Sequence, residues 1–148
     1  MAHRETDPFA SFNFLVESGG LIQAAFSECT GLNSETNVVE YREGKDDPSV
    51  RKLHGLSKFN NVTLKRGVGV GHQMFEWRRM VTDPSDEPTR EPRRNISILL
   101  LDEKRKERVR YNLKNAWPSK WTGPDFKAAA NEVAIEQLEI CHEGVTIA

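Results

Sequence analysis

Two alternating runs joined by a charged turn constrain this chain most. In Arg94 to Leu101, Ile96, Ile98 and Leu100 fall on one side and Leu99 and Leu101 on the other. Alternation with a period of two marks extended backbone, whose successive side chains point to opposite faces. Apolar residues on both sides predict a strand partly buried on both faces. Asp102-Glu103-Lys104-Arg105-Lys106 reads as a solvated hairpin turn, and Val109, Tyr111 and Leu113 as the returning strand.

The same grammar recurs elsewhere. After a short polar arm, residues 1–8, Phe12, Phe14 and Val16 alternate with Ser11, Asn13 and Leu15. Ser18-Gly19-Gly20 predicts a tight connection, with Leu21 to Ser27 returning as the second hairpin arm. Glu35 to Arg42 forms a third strand, and Glu43 to Ser49 an exposed loop. Val50 to Leu53 returns from that loop. Three readings of the loop stand: a solvated turn, a metal site at Asp46 and Asp47, or a hairpin projecting onto another subunit. No carboxylate or histidine lies at useful spacing for the metal. Lys58 to Arg66 alternates with Val62 and Leu64 inward. In Asn131 to Cys141 the phase slips, with Val133 and Ile135 on one face and Leu138 and Ile140 on the other. A one-residue slip predicts a β-bulge near Glu136 or Gln137, or else a strand buried on both sides.

One helix is expected, from His72 to Thr82, with Met74, Phe75, Trp77, Arg78 and Val81 on its apolar side. It should lie across the sheet. Asp83-Pro84 ends it, and a charged loop with three prolines, Pro84, Pro88 and Pro92, follows. The glycines of Gly67-Val68-Gly69-Val70-Gly71 precede it. His72 occupies the place of the third glycine of a dinucleotide fingerprint, so these residues read as a flexible corner.

From Asn112 to Asp125 the chain carries Trp117 and Trp121 among Pro118, Gly123 and Pro124. That punctuation predicts a loop. The two indoles make it either a plug folded onto the domain or an aromatic binding site. About seven antiparallel strands, one helix and short links define a mainly β protein, an antiparallel β-sandwich or β-barrel-like fold. Sheets of this kind expose edges that assemblies can exploit.

With 148 residues the chain is read as one domain, 1–148. Its 21 basic and 22 acidic residues leave a net charge of -1, against a general nucleic-acid binder. Cys29 and Cys141 are too few and too far apart for a disulfide scaffold or a metal pair, and read as buried free thiols. No apolar run reaches the roughly 20 residues of a membrane span, and the first residues lack an apolar signal core. The expected place of synthesis is therefore a cytoplasm. His3, His54, His72 and His142 are scattered, and no nucleophile elbow or phosphate loop occurs. Cys141 and His142 are strand neighbours that point apart. No catalytic residue, cofactor or metal is assigned.

Asn115-Ala116-Trp117-Pro118-Ser119-Lys120, Gly123-Pro124-Asp125 and Asn131-Glu132-Val133-Ala134-Ile135-Glu136 together resemble the C-terminal part of tail tube proteins of contractile phages and related injection systems. Upstream, Phe26-Ser27-Glu28, Gly31-Leu32, Glu40-Tyr41-Arg42-Glu43-Gly44, Val50-Arg51-Lys52-Leu53 and Asn61-Val62-Thr63-Leu64-Lys65-Arg66-Gly67 match in order. The resemblance implies an inner-tube subunit whose hexameric rings stack inside a contractile sheath. It implies partners in further copies of the chain, the sheath, a baseplate or spike hub, a tube terminator, and DNA or effector cargo in the lumen. It implies assembly in a bacterial or host cytoplasm, followed by residence in a virion tail or a released particle. It also makes residues 41–57 a projecting stacking loop, with Tyr41, Arg42, Glu43, Lys45, Asp46, Asp47, Arg51 and Lys52 at the ring interface. Trp117, Pro118 and Trp121 would form a structural core loop. The rival readings are an Hcp-like type VI secretion tube protein and a monomeric β-barrel ligand-binding module.

Overall fold

A computed structural model describes residues 14–18, 22–24, 26–42, 44, 48–69, 71–83, 87, 91–129 and 132–148. Ten strands and one helix follow in the order β1 (Phe14–Ser18), β2 (Ile22–Ala24), β3 (Glu28–Thr30), β4 (Glu35–Tyr41), β5 (Arg51–Lys58), β6 (Val62–Gly67), α1 (Gln73–Thr82), β7 (Arg94–Leu101), β8 (Glu107–Thr122), β9 (Ile135–Cys141) and β10 (Val145–Ile147). All described pairings are antiparallel. Eight strands run β2-β1-β7-β8-β9-β6-β3, with β10 also on β8, while β4 and β5 form a separate pair. The chain is a mainly β sandwich with one flanking helix.

The organising element is β8. Its first half pairs with β7 and β10, and its second half with β9. The switch falls at Asn115, which takes φ 49°, a left-handed conformation that asparagine tolerates better than most residues. Its amide N–H donates to Asn95 Oδ1 at 3.2 Å, and its side chain donates to Glu143 Oε2 at 2.7 Å. A second irregularity lies between Pro118 and Lys120, beside the proline that offers no amide N–H. One long strand thereby serves both layers, turning the corner as sandwiches do. The expected loop at 112–125 is thus corrected. Trp117, Pro118 and Trp121 stand in a strand, because tertiary pairing overrides the local turn chemistry.

Inward residues of both layers meet in one core. Val16, Ile96, Ile98 and Leu113 come from one side, and Val62, Leu64, Leu138 and Ile140 from the other. Helix α1 lies against β8 and adds Met74 and Trp77. Trp77 Nε1 donates to Pro92 O at 2.7 Å, and Arg78 reaches Pro118 O at 3.3 Å. Phe75, expected on the buried stripe, lies at its margin, edge-on to Trp121 at 5.0 Å, while Met80 packs against the core.

Three further expectations need correction. The predicted bulge in the last strand is absent: β9 pairs with β6 in unbroken register from Ile135 to Ile140. Glu136, Leu138 and Ile140 face inward, and Val133 and Ile135 are exposed. Glu136 takes an inward place because Arg66 Nε donates to it at 2.6 Å and Trp121 Nε1 at 3.3 Å. The single strand expected over 58–66 is two, β5 and β6, separated by Phe59 to Asn61. A helical turn read over 126–130 is not helical in its described residues, and Phe126 is exposed. The charged turn after β7 is as expected in place but not fully solvated. Asp102 is buried and accepts from the amides of Lys104 and Lys106, both at 2.9 Å, and from Arg108 at 3.0 Å. These bonds, the Lys106 amide foremost, hold its carboxyl below the usual range. Phe12 and most of the proline-rich loop lie outside the described residues.

Candidate assembly surface

The hairpin of β4 and β5 is built unlike everything else in the molecule. Every described residue in its strands is exposed except Gly55. Among the described residues its strands make their substantial contacts only with each other. An isolated two-stranded hairpin is marginal in water. Its register is nonetheless defined, with Glu35 opposite Lys58, Thr36 opposite Ser57, Val39 opposite Leu53, and Tyr41 opposite Arg51. Thr36 and Ser57 hydroxyls lie 2.9 Å apart, and Lys58 pairs with Glu35 at 3.8 Å.

Directly opposed residues share a face. One face therefore presents Val39, Leu53 and Tyr41 with Arg51 and the Glu35–Lys58 pair, and the other Val38 and His54 with Glu40 and Lys52. The neck is held tightly. Gly31 has φ 99°, and a Cβ there would stand 2.2 Å from the Asn61 carbonyl oxygen. Only glycine fits so close an approach. Asn60 N–H donates to Asn33 Oδ1 at 2.9 Å, fixing the other side of the neck.

The structure carries Tyr41, Arg42, Arg51 and Lys52 together on this hairpin, at its distal end. Glu43, Lys45, Asp46 and Asp47 lie outside the described residues. The β4–β5 pairing begins at Glu35, upstream of residue 41. Trp117, Pro118 and Trp121 are placed elsewhere, on β8: Pro118 is fully buried, and Trp121 packs on the core. Its ring is engaged by Phe75 and its N–H by Glu136. Sequence reasoning missed the groove beside β9, lined by Phe126, Val133 and Ile135 with Asp125, Lys127 and Glu132 at its polar rim. The signal was present, since Val133 and Ile135 were the residues out of phase. Cys29 and Cys141 are free and half-buried. Burial pushes the Cys29 thiol up to about 11 and also raises Cys141. Among the described residues no cluster of three or more histidine, cysteine or carboxylate side chains is arranged for a metal, and no helix is long and apolar enough to cross a membrane.

Solved structures from tubular particles are similar to this fold. The anti-feeding prophage cap, a tube terminating cap, is 29% identical with a TM-score of 0.82, over 100% of this chain and 94% of that one. The sheath-tube complex of the extracellular contractile injection system PVC gives 25% identity and a TM-score of 0.82, over 97% and 93%. Hcp1 from Flavobacterium johnsoniae is 13% identical with a TM-score of 0.56, over 93% of this chain and 95% of that one, a likeness of fold alone. No curated protein matches the chain. Residues 10–146 match the model of the T4-like virus tail tube protein gp19 family, and the chain belongs to that family. It is a tail tube protein of the contractile phage-like kind, nearer to the injection-system tubes than to Hcp.

Proposed function

We propose that six copies of the chain close into a ring and that rings stack into a hollow conduit inside a contractile sheath. The tube carries DNA or effector cargo and is joined to a baseplate and a terminator. The observation that carries this reading is the β4–β5 pair, paired from Glu35 to Tyr41 yet unburied in the protomer. A heterologous contact repeated along an axis gives an open stack, and one repeated around an axis gives a ring. Both remove free edges that a lone sandwich leaves. The protein works as a wall, driven by its sheath, and needs no active site.

In this reading the chain is one tail tube domain, and the hairpin with its loop, including Tyr41, Arg42, Glu43, Lys45, Asp46, Asp47, Arg51 and Lys52, contacts the next ring. Electron microscopy of purified particles tests it: sixfold rings in register should be visible, and particles without rings or tubes of this chain would refute it. Reversing Asp46 and Asp47 to arginine should shorten tubes while leaving the protomer folded. Unchanged tube length and yield would remove the stacking role. The particle's residence follows: assembly in a cytoplasm, then a virion tail or a released injection machine.

A further inference from the structure

The outward side of one sheet carries two complete rows of polar side chains. Val62, Leu64, Leu138 and Ile140 turn into the core, so their strand neighbours point away from it. The first row runs Glu28, Lys65, Gln137 and Thr122 across β3, β6, β9 and β8, and the second Thr30, Thr63, Glu139 and Lys120. Each row holds one acid, one base and two neutral polar groups. Lys65 Nζ lies 3.5 Å from a Glu28 carboxylate oxygen, Lys120 stands opposite Glu139, and Asn61 Nδ2 donates to Glu139 Oε1 at 2.9 Å. Ile135 and Trp117 lie beyond the rows, one at each end.

A hollow conduit needs a wall, and two observations favour this face for it. Strands β3 and β6 lead into and out of the β4–β5 hairpin, so this sheet is continuous with the element that reaches for the next ring. The outward side of the other sheet is neither open nor balanced. There Leu15 stands opposite Leu99, which is buried, and Arg110 draws both Glu17 and Glu107 into an ion network with an acid in excess.

We propose that the outward face of β3, β6, β9 and β8 walls the bore and presents no net charge to what passes. This rests on the conduit reading and adds to it the surface and the electrostatics of the passage. A cleft lined by one sign of charge concentrates ions of the other sign, and a tube repeats the face of its protomer around and along the bore. Glu28 and Glu139 are cancelled at the source by Lys65 and Lys120, as opposed charges on neighbouring strands attract. The polar rows offer no apolar patch for cargo to adhere to. A polyanion and a polycation therefore both pass without being held.

Gln137→Cys places a thiol in the middle of the face and is read above the wild-type signal of Cys29 and Cys141. In assembled tubes it should react with a small maleimide and stay closed to a maleimide coupled to a bead wider than the tube, while dissociated protomers react with both. Tubes that react with the bead put the face outside and overturn the proposal. Tubes that react with neither reagent put it between copies, which also overturns it. Thr63→Cys repeats the measurement should the first variant not assemble. A wild-type chain that forms no tubes overturns the conduit reading itself, and the proposal with it. Charge is tested with a fluorescent oligonucleotide and a fluorescent oligolysine, counted as held when an antibody to the fluorophore cannot quench them. Wild-type tubes should hold neither. Gln137→Lys tubes should hold about tenfold more oligonucleotide, and Gln137→Glu tubes about tenfold more oligolysine. Wild-type tubes that hold either probe, or variants that hold no more than wild type, overturn the neutral wall.

Discussion

The sandwich and the β4–β5 hairpin are made of the same apolar residue types and use them differently. In the sandwich, Val62, Leu64, Leu138 and Ile140 are buried almost completely. In the hairpin, Val38, Val39, Leu53 and Leu56 have alternation and register but no second layer. Strand-forming residues explain the backbone in both. Only burial explains stability, and the hairpin's burial must come from outside the protomer. A residue of the core is therefore read by its effect on folding, and a residue of the hairpin by its effect on assembly.

The largest effect that sharpens this contrast is at the core. Leu138→Ala should lower protomer stability by about 3 kcal/mol or more, seen as a shift of the urea midpoint. A loss below about 1 kcal/mol would mean that β9 does not join the layers. Next comes the buried ion pair. Arg66→Met leaves Glu136 without its cation and should cost about 3 kcal/mol. Adding Glu136→Leu should recover most of that loss, because the uncompensated charge is gone. No recovery would show that the arginine matters through its packing alone.

A smaller, pH-dependent effect belongs to the β7–β8 turn. The folded carboxyl of Asp102 titrates below its unfolded value. Its stabilisation is therefore complete above roughly pH 4, the ordinary carboxylate value, and fades as pH falls through the lower folded value. Asp102→Asn should reduce stability at neutral pH and narrow its difference from wild type in acid, as followed by thermal melts. An unchanged difference across that window would contradict the bonding of the turn. The smallest expected effect is the most telling one. Leu56→Ala should change protomer stability by less than about 0.5 kcal/mol, and a core-sized loss would show that the hairpin is buried in the lone chain.

Much of this architecture was legible from local pattern. The β7–β8 hairpin, helix α1 and inward Val62 and Leu64 follow from periodicity. Two misreadings have tertiary causes. Asn115 and Pro118 carry turn chemistry, but the fold uses it to hand one strand from sheet to sheet. Glu136 looks like an outward residue because its partner Arg66 is 70 positions away, so the phase of Val133 and Ile135 against Leu138 and Ile140 reads as a bulge. The exposure of Val133 and Ile135 is what reveals the groove. The β4–β5 hairpin was visible as alternation with a loop. Its isolation was not, because the Gly31–Asn61 approach that holds it off the sandwich depends on distant chain segments.

Hydrogen exchange of the β4 and β5 amides, compared between dissociated protomers and assembled tubes, tests the central claim most directly. Exchange should be fast in the protomer and strongly slowed in the tube, while β8 and β9 stay protected in both. Equal protection of the hairpin in the two states would contradict an element completed only by its neighbours.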